Sequence, residues 1–512
     1  MTTTVFSGGP IRRLPGGALA DWLLVDAGYV AGVGMGEAPA ADRSVDLDGG
    51  VLIPAFCDAH VHLPATGMYA TGLNFRGETS ARKILDGFAA RSGSAEGTLF
   101  GGNFEDPLDE PITRHDLDRV AEARPVLLAR ADMHSCIVST ALLEQLEVEG
   151  LEGVDRDEAG APTGYLREKA ASEAWSWFDR NLTDEQQTEA VHAAVQQAYS
   201  KGVASVHEMF VVEWRGWPSL GIFLKAVADV ALKVLTYCGT DEVKRVKRMG
   251  FPRIGGDFFL DGAFGSHTAW LKEPYTATPP VGSPPSGISY RDDQDLLEYF
   301  LEAQSEGLQV GVHAIGDAAV EQAIVTWEAV SQKVGVEAVR ALGHHIEHFE
   351  CSSDDQMQRA AALGLRASIQ PAFDRFWGGP DGLYSKRIGW DRATDMNRFG
   401  SMLSAGMMVG AGSDTTVTPL DPFLQIAALR EHHLEDEQLG KIEALRLHVG
   451  GARALAEGPG LAGTLEIGAP ADLTWLDRDP AEVEPDELIA TEVLGTWVDG
   501  ERVWPTAEAE LP

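Results

Sequence analysis

Eight short apolar runs alternating with helical segments between residues 51 and 412, strand-and-turn patterning at both chain ends, and one long interruption after the first run predict an α/β protein. Together they suggest a (β/α)8 TIM barrel, a small β lobe built from both chain ends, and a subdomain inserted after the first barrel strand.

Residues 1–50 carry apolar runs such as Trp22-Leu23-Leu24-Val25 broken by Gly and Pro, and the same grammar returns around 471–477 and 493–500. Domain termini often lie close in space, so segments 1–50 and 465–512 are assigned to one composite β domain. The barrel domain takes 51–464, with strands expected at 51–56, 203–206, 233–237, 257–260, 309–312, 345–348, 366–369 and 408–412. Helices are expected at 183–201, which opens on a Thr-Asp-Glu cap pattern, at 292–304 and at 318–334. Residues from about 63 to 180 are too many for a single crossover, so an insertion is placed there, with its own strand at 125–130.

Composition narrows the function. The 512 residues are 44% hydrophobic and 23% charged, as in folded globular proteins. Lys and Arg total 41 against 78 Asp and Glu, and the net charge of -37 repels nucleic-acid backbones and anionic membranes. The expected partner is a small-molecule substrate. Cys57, Cys136, Cys238 and Cys351 lie far apart, and neither a secretory leader nor a membrane span is visible, so a reducing, cytoplasmic setting is expected.

The chemistry gathers at strand ends. His60-Val61-His62 follows the first expected strand, and residues two apart in extended backbone share a face, so both imidazoles can reach one ion. His313 follows the strand at 309–312, His348 closes the one at 345–348, and Asp414 follows the one at 408–412. All sit at C-terminal strand ends, where a barrel collects its catalytic groups. Imidazole plus carboxylate suits a divalent metal, zinc first, with iron or manganese also compatible. His207-Glu208, after the strand at 203–206, faces the same side; His207 is a candidate substrate contact or hydrogen-bond partner.

Further stretches join these in order: Ala55-Phe56-Cys57-Asp58-Ala59-His60-Val61-His62, Arg130-Ala131-Asp132-Met133-His134-Ser135, Gly164-Tyr165-Leu166-Arg167-Glu168, Asp261-Gly262-Ala263-Phe264-Gly265-Ser266, His313-Ala314-Ile315-Gly316-Asp317, Ile346-Glu347-His348, Gly412-Ser413-Asp414 and Gly468-Ala469-Pro470-Ala471-Asp472-Leu473. In that order they resemble the amidohydrolase superfamily, specifically the branch called amidohydrolase family 3, and are similar to N-substituted formamide deformylases. The resemblance implies that His60, His62, His313, His348 and Asp414 form a metal site. It also implies hydrolysis by metal-activated water, with Asp414 moving the proton to the leaving nitrogen and His348, if not a ligand, hydrogen-bonding the developing oxyanion. The resemblance implies as well that the two end segments form the family's companion β-sandwich, and for Asp132, His134 and Glu168 of the insert two readings stand side by side: contacts to the polar part of the substrate, or a buried hydrogen-bond cluster within the insert.

One position departs from the family pattern. Dinuclear members carry a lysine, carboxylated so as to bridge two metals, on the strand before the Asp-Gly pair; here Asp257 stands there, several atoms shorter. Three outcomes follow: one ion held by His60, His62, His313 and Asp414, two ions bridged by Asp257 or Glu168, or altered chemistry. Ligand distances of about 2 Å are strict, which favours one ion. The expected function is metal-dependent hydrolysis of a non-peptide C–N bond in an N-acyl, N-formyl or cyclic amide. A deaminase, decarboxylase or isomerase of the same fold is the second reading, motivated by Asp257 and by His267, where the family commonly has arginine. A non-catalytic binding or scaffold protein is the third, and the retained Asp414 opposes it. A homodimer is compatible with all three.

Overall fold

The computed structural model describes residues 2–93, 97–104, 108–130, 135–148, 150–151, 153–279, 284–458, 460 and 463–505. The chain divides into two compact units, residues 1–62, 196–211 and 231–512, and residues 63–195 and 212–230.

The first unit contains eight parallel strands: β1 (Phe56–Val61), β2 (Val203–Phe210), β3 (Lys233–Cys238), β4 (Arg253–Phe259), β5 (Gln309–Ala314), β6 (His345–His348), β7 (Arg366–Ile369) and β8 (Met408–Ala411). They lie in an arc ordered β3-β2-β1 and an arc ordered β4-β5-β6-β7-β8. Their residues are almost all buried, the burial typical of parallel strands covered on both faces. Helices fill the crossovers as the capping signals require. Asp292 accepts from the Gln294 N–H at 2.8 Å and starts Asp293–Ser305, while a Ser353/Gln356 capping box starts Asp354–Leu363.

Residues 51–56, expected as the first barrel strand, are split between two sheets. Val51–Pro54 pairs antiparallel with Leu473–Leu476 in the lobe, and β1 begins at Phe56. The Ala55 N–H donates to Asp472 O at 2.9 Å, and Pro54 offers no N–H, so the chain changes sheets there. The neighbouring strands also run longer than the sequence suggests. His60, His207 and His313 therefore sit inside β1, β2 and β5 rather than after them.

A bulge interrupts β4, where pairing with β5 shifts register between Gly255 and Phe259. Gly255 and Gly256 have φ of 82° and 76°. A Cβ would lie 2.1 Å from Gly311 O at the first and 2.5 Å from Met209 Sδ at the second, so only glycine fits either position. Asp257 is the next residue after this bulge.

In the lobe, Tyr29–Gly34, Trp22–Asp26, Thr4–Ser7 and Arg43–Asp46 form one sheet. The second sheet interleaves Ile11–Arg12, Leu19–Ala20 and Val51–Pro54 with Leu473–Leu476, Val493–Val498 and Glu501–Trp504 from the other chain end. Phe6, Leu23, Leu52, Leu473 and Trp497 share one core, Phe6 meeting Trp497 edge-on at 5.2 Å.

In the second unit, Val126–Arg130 is one strand of a six-stranded mixed sheet rather than an isolated one. Its side chains alternate, Leu127 and Ala129 packing with Phe178 while Val126 and Leu128 pack with Phe88. All four cysteines are buried and unpaired. Among the described residues no helix is long and apolar enough to cross a membrane.

Candidate metal centre

Six side chains from five strands converge on one buried spot. Asp257 on β4 divides its carboxylate between two pairs of imidazoles. Its Oδ2 lies 3.5 Å from His60 Nε2 and 3.1 Å from His62 Nε2, and its Oδ1 lies 3.6 Å from His313 Nδ1 and 3.8 Å from His348 Nε2. Asp414, after β8, places Oδ1 at 3.5 Å and 3.4 Å from His60 and His62. Two ligands bound tetrahedrally at about 2.1 Å stand roughly 3.4 Å apart, so these atoms are spaced as ligands of shared ions. Three overlapping groups hold their donor atoms within 4.8 Å of one another: His60, His62 and Asp257; His60, His348 and Asp414; and Asp257, His313 and His348.

Outer partners fix which ring nitrogen faces inward. His60 Nδ1 donates to Glu347 Oε2 at 2.8 Å, His62 Nδ1 to Met209 O at 3.1 Å and His348 Nδ1 to Gln370 Oε1 at 2.8 Å, leaving each Nε2 lone pair toward the cluster. His313 is reversed, its Nε2 donating to Gly262 O at 3.3 Å and its Nδ1 facing Asp257. Among these inward atoms, His60 Nε2, His313 Nδ1, His348 Nε2 and Asp257 Oδ1 are buried with no hydrogen-bond partner. Orphaned buried donors and acceptors converging on one point fit a cation.

The backbone contributes too. Alternation along β6 puts Glu347 with His345 and sets His348 on the opposite side, yet His348 reaches the cluster because its φ is 69°. Asp414 has φ 52°, a left-handed conformation uncommon for non-glycine residues and concentrated at functional sites. Asp58 Oδ1 accepts from the N–H groups of His60 (3.1 Å) and Ser413 (2.9 Å), tying β1 to that turn. Asp261 accepts from Trp270, Ile315 and Gly316 N–H groups at 2.8, 3.0 and 2.8 Å, which holds the Gly262 carbonyl under His313. Burial pushes its carboxyl up to about 7 despite those bonds.

Charge in the cluster is shared between carboxylates and imidazoles. Burial works against protonation of His62, but Asp257 and Asp414 prevail and push it up to about 10; His60 is raised well above its ordinary value by the same two carboxylates and Glu347. Asp257 is held well below the ordinary carboxylate range, since His60, His313 and His348 outweigh its burial. In metal-stripped protein both His60 and His62 therefore carry protons at neutral pH. A raised imidazole stabilises the fold fully below its ordinary value of 6.5 and stops doing so as pH rises through about 10. The unfolding temperature of stripped protein is expected to fall between pH 7 and 10, and zinc binding at pH 7 to release protons. Calorimetry in two buffers of different ionisation enthalpy measures that release, and none at all would contradict this charge assignment.

The profile of the amidohydrolase family matches residues 43–504. The chain belongs to the amidohydrolase family. Among curated family relatives, the protein named for a amidohydrolase role, YtcJ of Bacillus subtilis (strain 168), is 27% identical, the alignment covering 98% of this chain and 99% of that one. The N-substituted formamide deformylase of Arthrobacter pascens is 26% identical, with 94% of each chain covered. Among solved structures, an uncharacterized metal-dependent hydrolase from Pyrococcus furiosus matches with TM-score 0.78 and 26% identity, over 94% of this chain and all of that one. This amidohydrolase is an enzyme of the hydrolase class.

Of the residues singled out in the sequence, the amidohydrolase fold brings together His60, His62, Asp257, His313, His348 and Asp414. It does not bring His207 to them. His207 lies in β2 against Tyr237 (ring centroids 5.9 Å apart), both ring nitrogens buried without a hydrogen-bond partner. Asp132 and His134 lie outside the described residues, as does the side chain of Glu168, whose backbone opens the helix Glu168–Asn181. His267, with φ 59°, packs against Tyr275. The sequence reading gave no role to Glu347, Gln370, Asp58 or Asp261. Glu347, Asp58 and Asp261 lay inside quoted motifs, and strand alternation from His345 was the available signal for Glu347.

Proposed function

We propose that this chain is a two-metal hydrolase of a non-peptide C–N bond, acting on a small N-formyl, N-acyl or cyclic amide. The single observation that carries the reading is the division of Asp257, one carboxylate oxygen toward His60 and His62 and the other toward His313 and His348. The sequence favours one ion because an aspartate is short. Following the Gly255-Gly256 bulge, the Asp257 carboxylate nevertheless lies within 3.1 to 3.8 Å of all four imidazoles, which supports two positions.

We read the two arcs of strands as one closed (β/α)8 barrel with the two-sheet lobe as its β-sandwich. In support, Asp414 N–H donates to His60 O at 2.8 Å and His62 N–H to Thr415 O at 3.1 Å, linking the chain after β8 to the end of β1.

A divalent ion there, zinc by its imidazole and carboxylate donors with iron or manganese compatible, supplies Lewis-acid polarisation and a lowered water pKa. The chain's residues do the rest. Asp414 accepts the proton of the attacking water and returns it to the leaving nitrogen, its left-handed backbone and the turn tied by Asp58 setting the carboxylate's place. Gln370 keeps the His348 Nε2 lone pair inward, and Gly262 O does the same for His313 Nδ1. The deformylase relative makes N-formyl amines the first substrates to test.

The test is metal content per chain on protein purified without added metal, with amine release from a panel of N-formyl, N-acetyl and cyclic amides. Two equivalents and release from the panel are expected. Absence of metal and of product together would sink the reading and leave a binding protein.

A further inference from the structure

Three of the four imidazoles in the centre lean on neutral oxygens, Met209 O, Gln370 Oε1 and Gly262 O. His60 instead hydrogen-bonds a carboxylate, Glu347 Oε2 at 2.8 Å, both side chains fully buried, whereas the carboxylate nearest the outer nitrogen of His313, Asp261 Oδ1, stands 3.8 Å away, beyond hydrogen-bond distance. Buried carboxylates are retained only where partners compensate them. The second oxygen of Glu347 stands 2.5 Å from His345 Nε2, two residues back on the same face of β6, an ion-pair contact that lies off the line of a hydrogen bond. His345 is itself 1% exposed, its ring edge-on to Tyr237 at 4.9 Å, and Tyr237 donates to Gln309 Oε1 at 2.8 Å.

The slot for this arrangement is built into the backbone. A Cβ on Gly311, the β5 residue opposite His345, would lie 2.6 Å from His345 Nε2. The neighbouring strand thus leaves out a side chain where the ring stands.

We propose that Glu347, anchored by His345, is a positioning residue that holds His60 with Nε2 toward the metal and makes that imidazole the most strongly donating of the four, so that it governs one of the two ion positions. The inference rests on the two-metal reading above. Glu347 touches neither substrate nor ion in this assignment and acts only through His60. A hydrogen-bonded carboxylate behind a ligating imidazole raises its basicity and fixes its orientation, and losing such a partner typically weakens metal binding about 10- to 100-fold. Because Glu347 contacts His60 and not His62, His313 or His348, the effect falls on one ion.

The experiment uses the full chain, stripped with a chelator and titrated with zinc against a chromophoric competitor, then with cobalt to read the ligand-field spectrum. Wild type is expected to bind two equivalents. Glu347→Gln, which keeps an acceptor oxygen but not its charge, is expected to weaken one equivalent by about 10- to 100-fold and leave the other within about threefold. The band of a single cobalt ion should move. His345→Gln is expected to weaken the same equivalent by a smaller factor, and it serves as the readout if Glu347→Gln does not fold.

A folded Glu347→Gln that binds both ions as wild type does would overturn the assignment. Equal weakening of both ions would overturn it too, since that is what a merely structural residue produces. Wild type binding a single ion that Glu347→Gln then weakens would uphold the positioning role and refute the two-metal reading instead. Wild type binding none would refute both.

Discussion

Asp257→Ala is expected to lower bound metal from two equivalents to one or fewer and to abolish turnover, the largest single effect in the molecule. One oxygen of this carboxylate faces the His60/His62 pair and the other the His313/His348 pair, so in the two-metal reading its loss would leave both ion positions without their shared anion. Asp414 Oδ1 stays near the first pair, so any ion that survives is expected there. The variant also removes the charge that holds protons on His60 and His62 in stripped protein. Proton release per zinc should therefore fall along with affinity. Elemental analysis of wild type and variant, purified side by side, decides the matter: two equivalents retained in Asp257→Ala would show that the carboxylate bridges nothing.

Asp414→Asn is the second large effect, and it is of a different kind. The amide keeps an oxygen where Asp414 Oδ1 faces His60 and His62, so both ions are expected to remain. What it cannot do is carry the proton from water to the leaving nitrogen. General acid–base groups contribute about 10²- to 10⁴-fold, so kcat should fall by that factor, with KM changing far less. Unchanged kcat with metal retained would remove Asp414 from the reaction.

The parallel strands and the ligand residues were legible because both rest on periodicity and position. Runs such as Gln309-Val310-Gly311-Val312 read as buried strands, and histidines at their ends read as a cluster. Strand boundaries were less legible. The switch of sheets at Pro54 and Ala55 depends on pairing with Asp472, more than four hundred residues away, which no local window contains. The surroundings of Asp257 were not legible for a related reason. Side-chain length was visible in the sequence, whereas the positive φ of Gly255 and Gly256 is a property of the folded backbone. The same holds for His348, whose orientation depends on its φ of 69°. The partner of His60 was hidden differently, because Glu347 is read as an ordinary strand residue until β1 and β6 are seen to face one another.

The aspartate at position 257 also bears on what the protein must find in its surroundings. A carboxylated lysine exists only after reaction with carbon dioxide and reverts when that gas is scarce, so a centre bridged by one depends on a dissolved metabolite. In the two-metal reading proposed above, Asp257 would take that place as a group that is genetically encoded and present as soon as the chain folds. Assembly would then need polypeptide and ion alone, and metal uptake is expected to be the same in degassed buffer as under a carbon-dioxide-rich atmosphere.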